Sequence, residues 1–205
     1  ACAPYRRLSL CNKNFPNMNS KDSLKAKNDL LVDVCYAAKY EAESLIPYHD
    51  QYKLTYGDSQ LCTELARSFA DIGDIVRGKD LFLGNDEEKK RDELKENLQK
   101  IFAKIHSGLT STRGKQNGEL QKRYKGDAKK NFYQLREDWW DANRHTVWEA
   151  ITCGAGESDK YFRQTACGTG TPTHKQCRCD DKANVDPPTY FDYVPQYLRW
   201  FEEWA

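Results

Sequence analysis

Eight cysteines and one run of basic side chains have the most chemistry to offer in this chain of 205 residues. The cysteines are Cys2, Cys11, Cys35, Cys62, Cys153, Cys167, Cys177 and Cys179. So many thiols in a chain of this size point to disulfides formed in an oxidising compartment. They allow on the order of a hundred pairings, and spacing does not choose among them. Cys177 and Cys179 stand one residue apart and are expected to take different partners. Cys62 is an attractive partner for one of them, because that bond would clamp a central helix to the last long loop. Zinc is the competing use. Cys167, His174, Cys177 and Cys179 could supply three sulfurs and an imidazole. The single-residue spacing departs from the usual two-plus-two knuckle, and four cysteines would stay unexplained. Disulfides are therefore the expected state, with no metal and no cofactor.

Catalysis finds little support. The histidines are His49, His106, His145 and His174, and none sits in a nucleophile motif. Glu202 and Glu203 read as ordinary helix-face carboxylates. No glycine-rich phosphate loop occurs. An enzyme is not expected. The basic run is different. Arg113, Lys115, Lys122, Arg123, Lys125, Lys129 and Lys130 fall within 18 positions, with Glu119 and Asp127 the only acids among them. It reads as an exposed solubilising loop or as a site for a sulfated glycan or another polyanion. The net charge of +1 argues against a globally basic nucleic-acid binder.

These groups need elements to hold them. Leu61, Leu65, Phe69, Ile72 and Val76 recur at steps of four and three, which predicts a central helix over 61–78. Asp58 is its expected N-cap and Gly78 its stop. Gly73 lies inside the stripe, where glycine costs about 1 kcal/mol relative to alanine. It is expected to mark close approach by a neighbouring helix. Arg67 with Asp71, and Asp74 with Arg77, stand at helical pair spacings. They fit a solvated rim, or else a network inside a bundle.

A first helix is expected from Ser20 to Pro47, burying Leu24, Leu31, Val34, Ala38 and Leu45, with a polar connector over 48–57. A third should start near Asn85 and stop at Gly108, with Leu94, Leu98, Ile101, Phe102 and Ile105 inward. Residues 107–127 read as an exposed loop. A fourth helix should span 127–153, apolar on two faces and packed between neighbours through Trp139, Trp140 and Trp148. Residues 154–188 read as a long loop that cysteines must pin, and a last helix covers 194–204. With 12 Tyr, 8 Phe and 5 Trp, the core should rest on large rings. No apolar run is long enough to span a membrane. There is neither an initiator methionine nor a signal sequence, so the chain reads as a piece of a larger exported protein.

Four stretches resemble a known family. The opening ACAPYRRLSLC, the segment CTELARSFADIGDIVRGKDLF, LREDWWDANRHTVWEAITC and the ending DYVPQYLRWFEEW are similar to the Duffy-binding-like (DBL) domain. Within it they resemble the α class from variant erythrocyte-membrane adhesins of the malaria parasite. The resemblance spans nearly the whole chain. It implies a mainly α, disulfide-stapled helical bundle with long loops. Residues 1–20 would be an irregular part of the first DBL subdomain and 21–205 the helical second one. Family members carry further cysteines upstream, so Cys2 and Cys11 have either those or each other as partners. The resemblance also implies a module that binds host receptors, among them sulfated glycans, complement receptor and blood-group sugars. Such binding underlies vascular adhesion and rosetting of infected red cells, and host antibodies are a further class of partner. The module would lie on the outer face of the infected erythrocyte, attached to the membrane through other parts of a longer protein. The matched motifs look like scaffold, so specificity is expected in 108–126 and 154–176. The expected function is thus a receptor-binding adhesion module, with the basic residues meeting a sulfated glycan. The alternative is a structural spacer and variable antibody target beside a binding domain.

Overall fold

The structure is a computed structural model that describes residues 2–12, 14–15, 24–55, 59–82, 88–111, 115–167, 170–179 and 186–205. Its helices are α1 (Tyr5–Leu8), α2 (Ala26–Lys53), α3 (Leu61–Arg77), α4 (Glu88–Ser111), α5 (Lys115–Arg123), α6 (Tyr133–Ile151) and α7 (Gln196–Trp204). Two 3-10 turns, Asp127–Lys130 and Phe191–Tyr193, flank α6 and α7. Among the described residues there is no strand, only an isolated bridge between Lys175 and Arg178. The mainly helical, disulfide-bonded architecture expected from the sequence is the one found.

Helix α3 is the centre, packed against α2 and α6. Its stripe Leu61, Leu65, Phe69, Ile72 and Val76 is buried throughout. Trp140 and Trp148 of α6 close on Phe69, with ring centroids 5.1 and 5.3 Å away. Gly73 makes that packing possible. A Cβ there would lie 2.7 Å from Cζ2 of Trp140, so the neighbour it admits is an indole. Gly78 ends α3 at φ 75°, and Lys79 N–H donates to the Asp74 carbonyl at 2.8 Å.

Several boundaries differ from the sequence reading. Helix α2 runs through Pro47 to Lys53. A proline removes one amide donor from the ladder, but packing along α3, α4 and α6 carries the helix on. Its buried face is Ala26, Leu30, Val34, Ala37, Ala38, Glu41 and Ala42, whereas Leu24 is 64% exposed. The cause is Glu41. Its carboxylate accepts from Ser68 Oγ at 2.7 Å and from Cys11 N–H at 2.9 Å, so a charged position turns inward. Helix α4 passes Gly108 and ends at Ser111, where Thr110 Oγ1 donates to the His106 carbonyl at 2.8 Å. Ser20, Asp58 and Asn85, the expected caps, lie outside the described residues.

The segment read as one helix over 127–153 is a 3-10 turn followed by α6. Asn131 and Phe132, both at φ 57°, break it. Asp127 then caps α6 from a distance: its carboxylate accepts from Gln134 N–H and Leu135 N–H, each at 3.0 Å. Those amides have no partner within the helix.

The charges on α3 face inward. Asp71 is 0% exposed and pairs with Arg6 and Arg199, each at 2.7 Å. Asp74 takes Arg77 at 2.9 Å and Arg199 at 2.6 Å. Arg67 turns to Glu64 instead of Asp71, at 2.7 Å. The rim reading of these charges is therefore wrong for Asp71, Asp74 and Arg77, which form a buried network. Burial alone would raise the Asp71 carboxyl, but the two guanidiniums outweigh it and hold it below the usual carboxylate range.

Candidate functional site

Two regions answer to the segments singled out for specificity. The second of them, 154–176, is held by disulfides. Cys62 of α3 bonds Cys177 across 115 positions, and Cys167 bonds Cys179 across 12. One pair clamps the central helix to the loop, and the other closes the loop on itself. Asp159 adds a polar anchor. It takes Lys53 Nζ at 2.6 Å, Ser59 Oγ at 2.7 Å and Gly156 N–H at 2.8 Å. Three sulfurs of the candidate zinc set are thus oxidised into disulfides. Among the described residues no cluster of His, Cys, Asp and Glu could hold a metal.

The other four cysteines, Cys2, Cys11, Cys35 and Cys153, form no disulfide with one another in this structure. Cys2 and Cys11 are not bonded to each other here, and Cys11 Sγ donates to Ser44 Oγ at 3.7 Å. Cys35 Sγ rests against the Thr146 carbonyl at 4.0 Å, and burial pushes its thiol up to about 11. Cys2 and Cys153 are exposed.

The first region, 108–126, is largely helical where a loop was expected. Helix α5 folds back along α4. Leu120 packs on the core, Tyr124 is buried, and Gln121 Nε2 donates to the Thr110 carbonyl at 3.1 Å. The helix is polar nearly all round, so its own pattern hides it.

The basic residues separate into groups. Arg113 lies outside the described residues, and Lys115 opens α5. Arg123 is committed to a fork on Asp138 of α6, with Nε at 2.5 Å and Nη2 at 2.6 Å. Lys122, Lys125, Lys129 and Lys130 are exposed and enter no ion pair among the described residues. Acid is scarce around them because Asp127 is buried as the cap of α6 and Asp138 is neutralised by Arg123. What remains is a surface along α5 and the turn before α6 on which the four lysines outnumber exposed Glu119. The sequence pointed to the basic run but not to Asp138, which lies 15 positions from Arg123.

A family model, the Duffy binding domain, matches residues 1–199. The chain is 22% identical over 212 aligned residues to the Duffy receptor beta form of Plasmodium knowlesi, covering all of this chain and 14% of that protein. Among solved structures it is similar to the NTS-DBL1(alpha-1) domain of membrane protein 1 (PfEMP1) of Plasmodium falciparum, varO strain. That match has a TM-score of 0.79 and 42% identity, over 100% of this chain and 43% of the other. It is also similar to the ICAM-1-binding PfEMP1 IT4var13 DBLbeta domain, with a TM-score of 0.70 and 34% identity, over 98% of this chain and 42% of that one. The chain therefore spans less than half the length of these structures and about a seventh of the curated relative.

Proposed function

The chain belongs to the Duffy binding domain family, and from that premise we propose that it is a host-receptor-binding adhesion module whose ligand is a sulfated glycan. It would act on the outer face of the infected erythrocyte, within a longer membrane-anchored protein, in cytoadherence or rosetting. Similarity to a Duffy receptor and to an ICAM-1-binding domain supports receptor binding as the general role. The observation that carries the glycan reading is the set Lys122, Lys125, Lys129 and Lys130, four exposed ammonium groups with no counter-ion among the described residues. Arg113 and Lys115 extend the set in sequence. Arg123 positions its neighbours through Asp138.

The mechanism is charge complementarity. Polyanion chains carry sulfates at short intervals, and surface lysines meet them as mobile point charges. Such attraction is screened over about 8 Å at physiological salt. Binding to immobilised heparin should weaken steeply across a salt series. The variant Lys122→Ala/Lys125→Ala/Lys129→Ala/Lys130→Ala should lose roughly a hundredfold in affinity at low salt, at about half a tenfold step per lysine. Equal binding by variant and parent, or a flat salt response, would refute the charge account and favour the spacer reading.

A further inference from the structure

We propose that a cavity of about 270 Å³ beside the basic surface is a subsite for one sugar ring of that acidic glycan, an inference that rests on the glycan reading above. The cavity lies where the start of α2, the end of α4 and the middle of α6 meet. Its lining is mixed: Leu109 and Trp139 are among its apolar residues, while Lys27, Asn28 and Asn143 bring polar groups to it. A concave site in which apolar side chains meet a few convergent polar groups is the usual setting for a small ligand. At this size it fits one ring, not an oligosaccharide.

The polar groups are uncommitted. Lys27 and Asn28 are exposed, and their side chains bond no described residue. Asn143 donates Nδ2 to the Trp139 carbonyl at 2.6 Å, and its Oδ1 accepts from no described residue. Asp138 also lines the cavity but brings no open charge to it. Its oxygens take Arg123 twice, Gln134 Nε2 at 2.9 Å and the Tyr124 hydroxyl at 3.0 Å. Lys27 therefore sets the local sign.

A pyranose matches each part. Its C–H face meets Leu109 and Trp139, its hydroxyls meet the Asn28 and Asn143 amides, and a carboxylate or sulfate on the ring meets Lys27. Tyr124 lines the cavity, and Lys122 and Lys125 flank it in the chain. The rest of the polymer can then cross the lysine surface. The lysines supply attraction for any polyanion, and the cavity supplies preference for a sugar of the right shape.

The test compares two polyanions of matched charge density: a heparin-derived hexasaccharide and polyvinyl sulfate, which has no sugar ring, titrated into the chain at one salt concentration. Ala142 lines the cavity and is exposed, so Ala142→Trp fills the mouth without entering the core. The parent should prefer the heparin oligosaccharide. Ala142→Trp should lose about tenfold for it and leave polyvinyl sulfate unchanged, and Lys27→Gln should lose about fivefold in the same selective way. If neither variant narrows the preference, or if both polymers weaken alike, the subsite is overturned. The four-lysine variant separates the two readings. If it loses both polymers while Ala142→Trp changes nothing, only the subsite falls. If it keeps both while Ala142→Trp loses selectivity, only the charge reading falls. A parent that binds neither polymer removes both.

Discussion

Replacing Asp71 by alanine tests the buried network at its most connected carboxylate. Asp71 accepts from Arg6 at 2.7 Å, Arg199 at 2.7 Å and Gln196 at 3.0 Å, and it is fully buried. Removing one partner of a buried ion pair costs about 3–5 kcal/mol, because the charge left behind stays desolvated. Two charges are left here, but neither is stranded. Arg6 keeps Glu203 at 2.9 Å and Arg199 keeps Asp74 at 2.6 Å. The lower end, about 3 kcal/mol, is therefore expected. In a chain of this size each kcal/mol lowers Tm by about 2–4 °C, giving a fall of about 6–12 °C. Urea unfolding should show the midpoint moving at constant slope, since the surface exposed is unchanged. Asp71→Ala/Arg199→Met, which removes one of the charges as well as the carboxylate, should recover part of the loss. A single variant within about 0.5 kcal/mol of the parent, the range of ordinary surface changes, would refute the claim that these charges hold the bundle together.

Three more outcomes are expected. Cys62→Ala/Cys177→Ala opens a loop of 115 positions and should cost about 5 kcal/mol by chain entropy, against about 3 for Cys167→Ala/Cys179→Ala with its loop of 12; equal losses in chemical denaturation would contradict this. His49 Nε2 accepts from Gln60 N–H at 3.0 Å beside the start of α3. Burial first, then Lys53, lowers its pKa against the opposing pull of Asp159, Asp50 and Glu64. The unfolded chain thus binds the proton first, so His49 contributes no loss above about pH 6.5 and a growing loss of stability below it. His49→Gln should flatten that part of the stability-against-pH curve, and an unchanged curve would contradict the assignment. Asp71 adds a further loss only when pH falls below the usual carboxylate range, through its lowered pKa.

How far the sequence could be read depended on how local each cause was. The α3 stripe is a repeat within one helix, and Gly73 advertised a close neighbour without saying that it was Trp140. Cys62 was paired correctly with the Cys177–Cys179 region because a bond there had an architectural reason. What escaped depended on distant partners. Asp71 looks like a surface charge until Arg6 and Arg199 arrive from 65 and 128 positions away. Pro47 and Gly108 read as stops because local propensity disfavours them, yet packing holds both helices through. Helix α5 has too few apolar residues to announce itself, and only its fold onto α4 makes it one. The basic run was visible as composition, while the division between Arg123 and the lysines required Asp138 in place.

The two ends of the described chain meet. Trp204 Nε1 donates to the Cys2 carbonyl at 3.0 Å, and Arg6 spans α3 and α7 through Asp71 and Glu203. In any polypeptide that continues past both ends, tension would enter and leave at nearly one point. The load would fall on that small junction, and the helices beyond it would hang as a pendant outside the line of force.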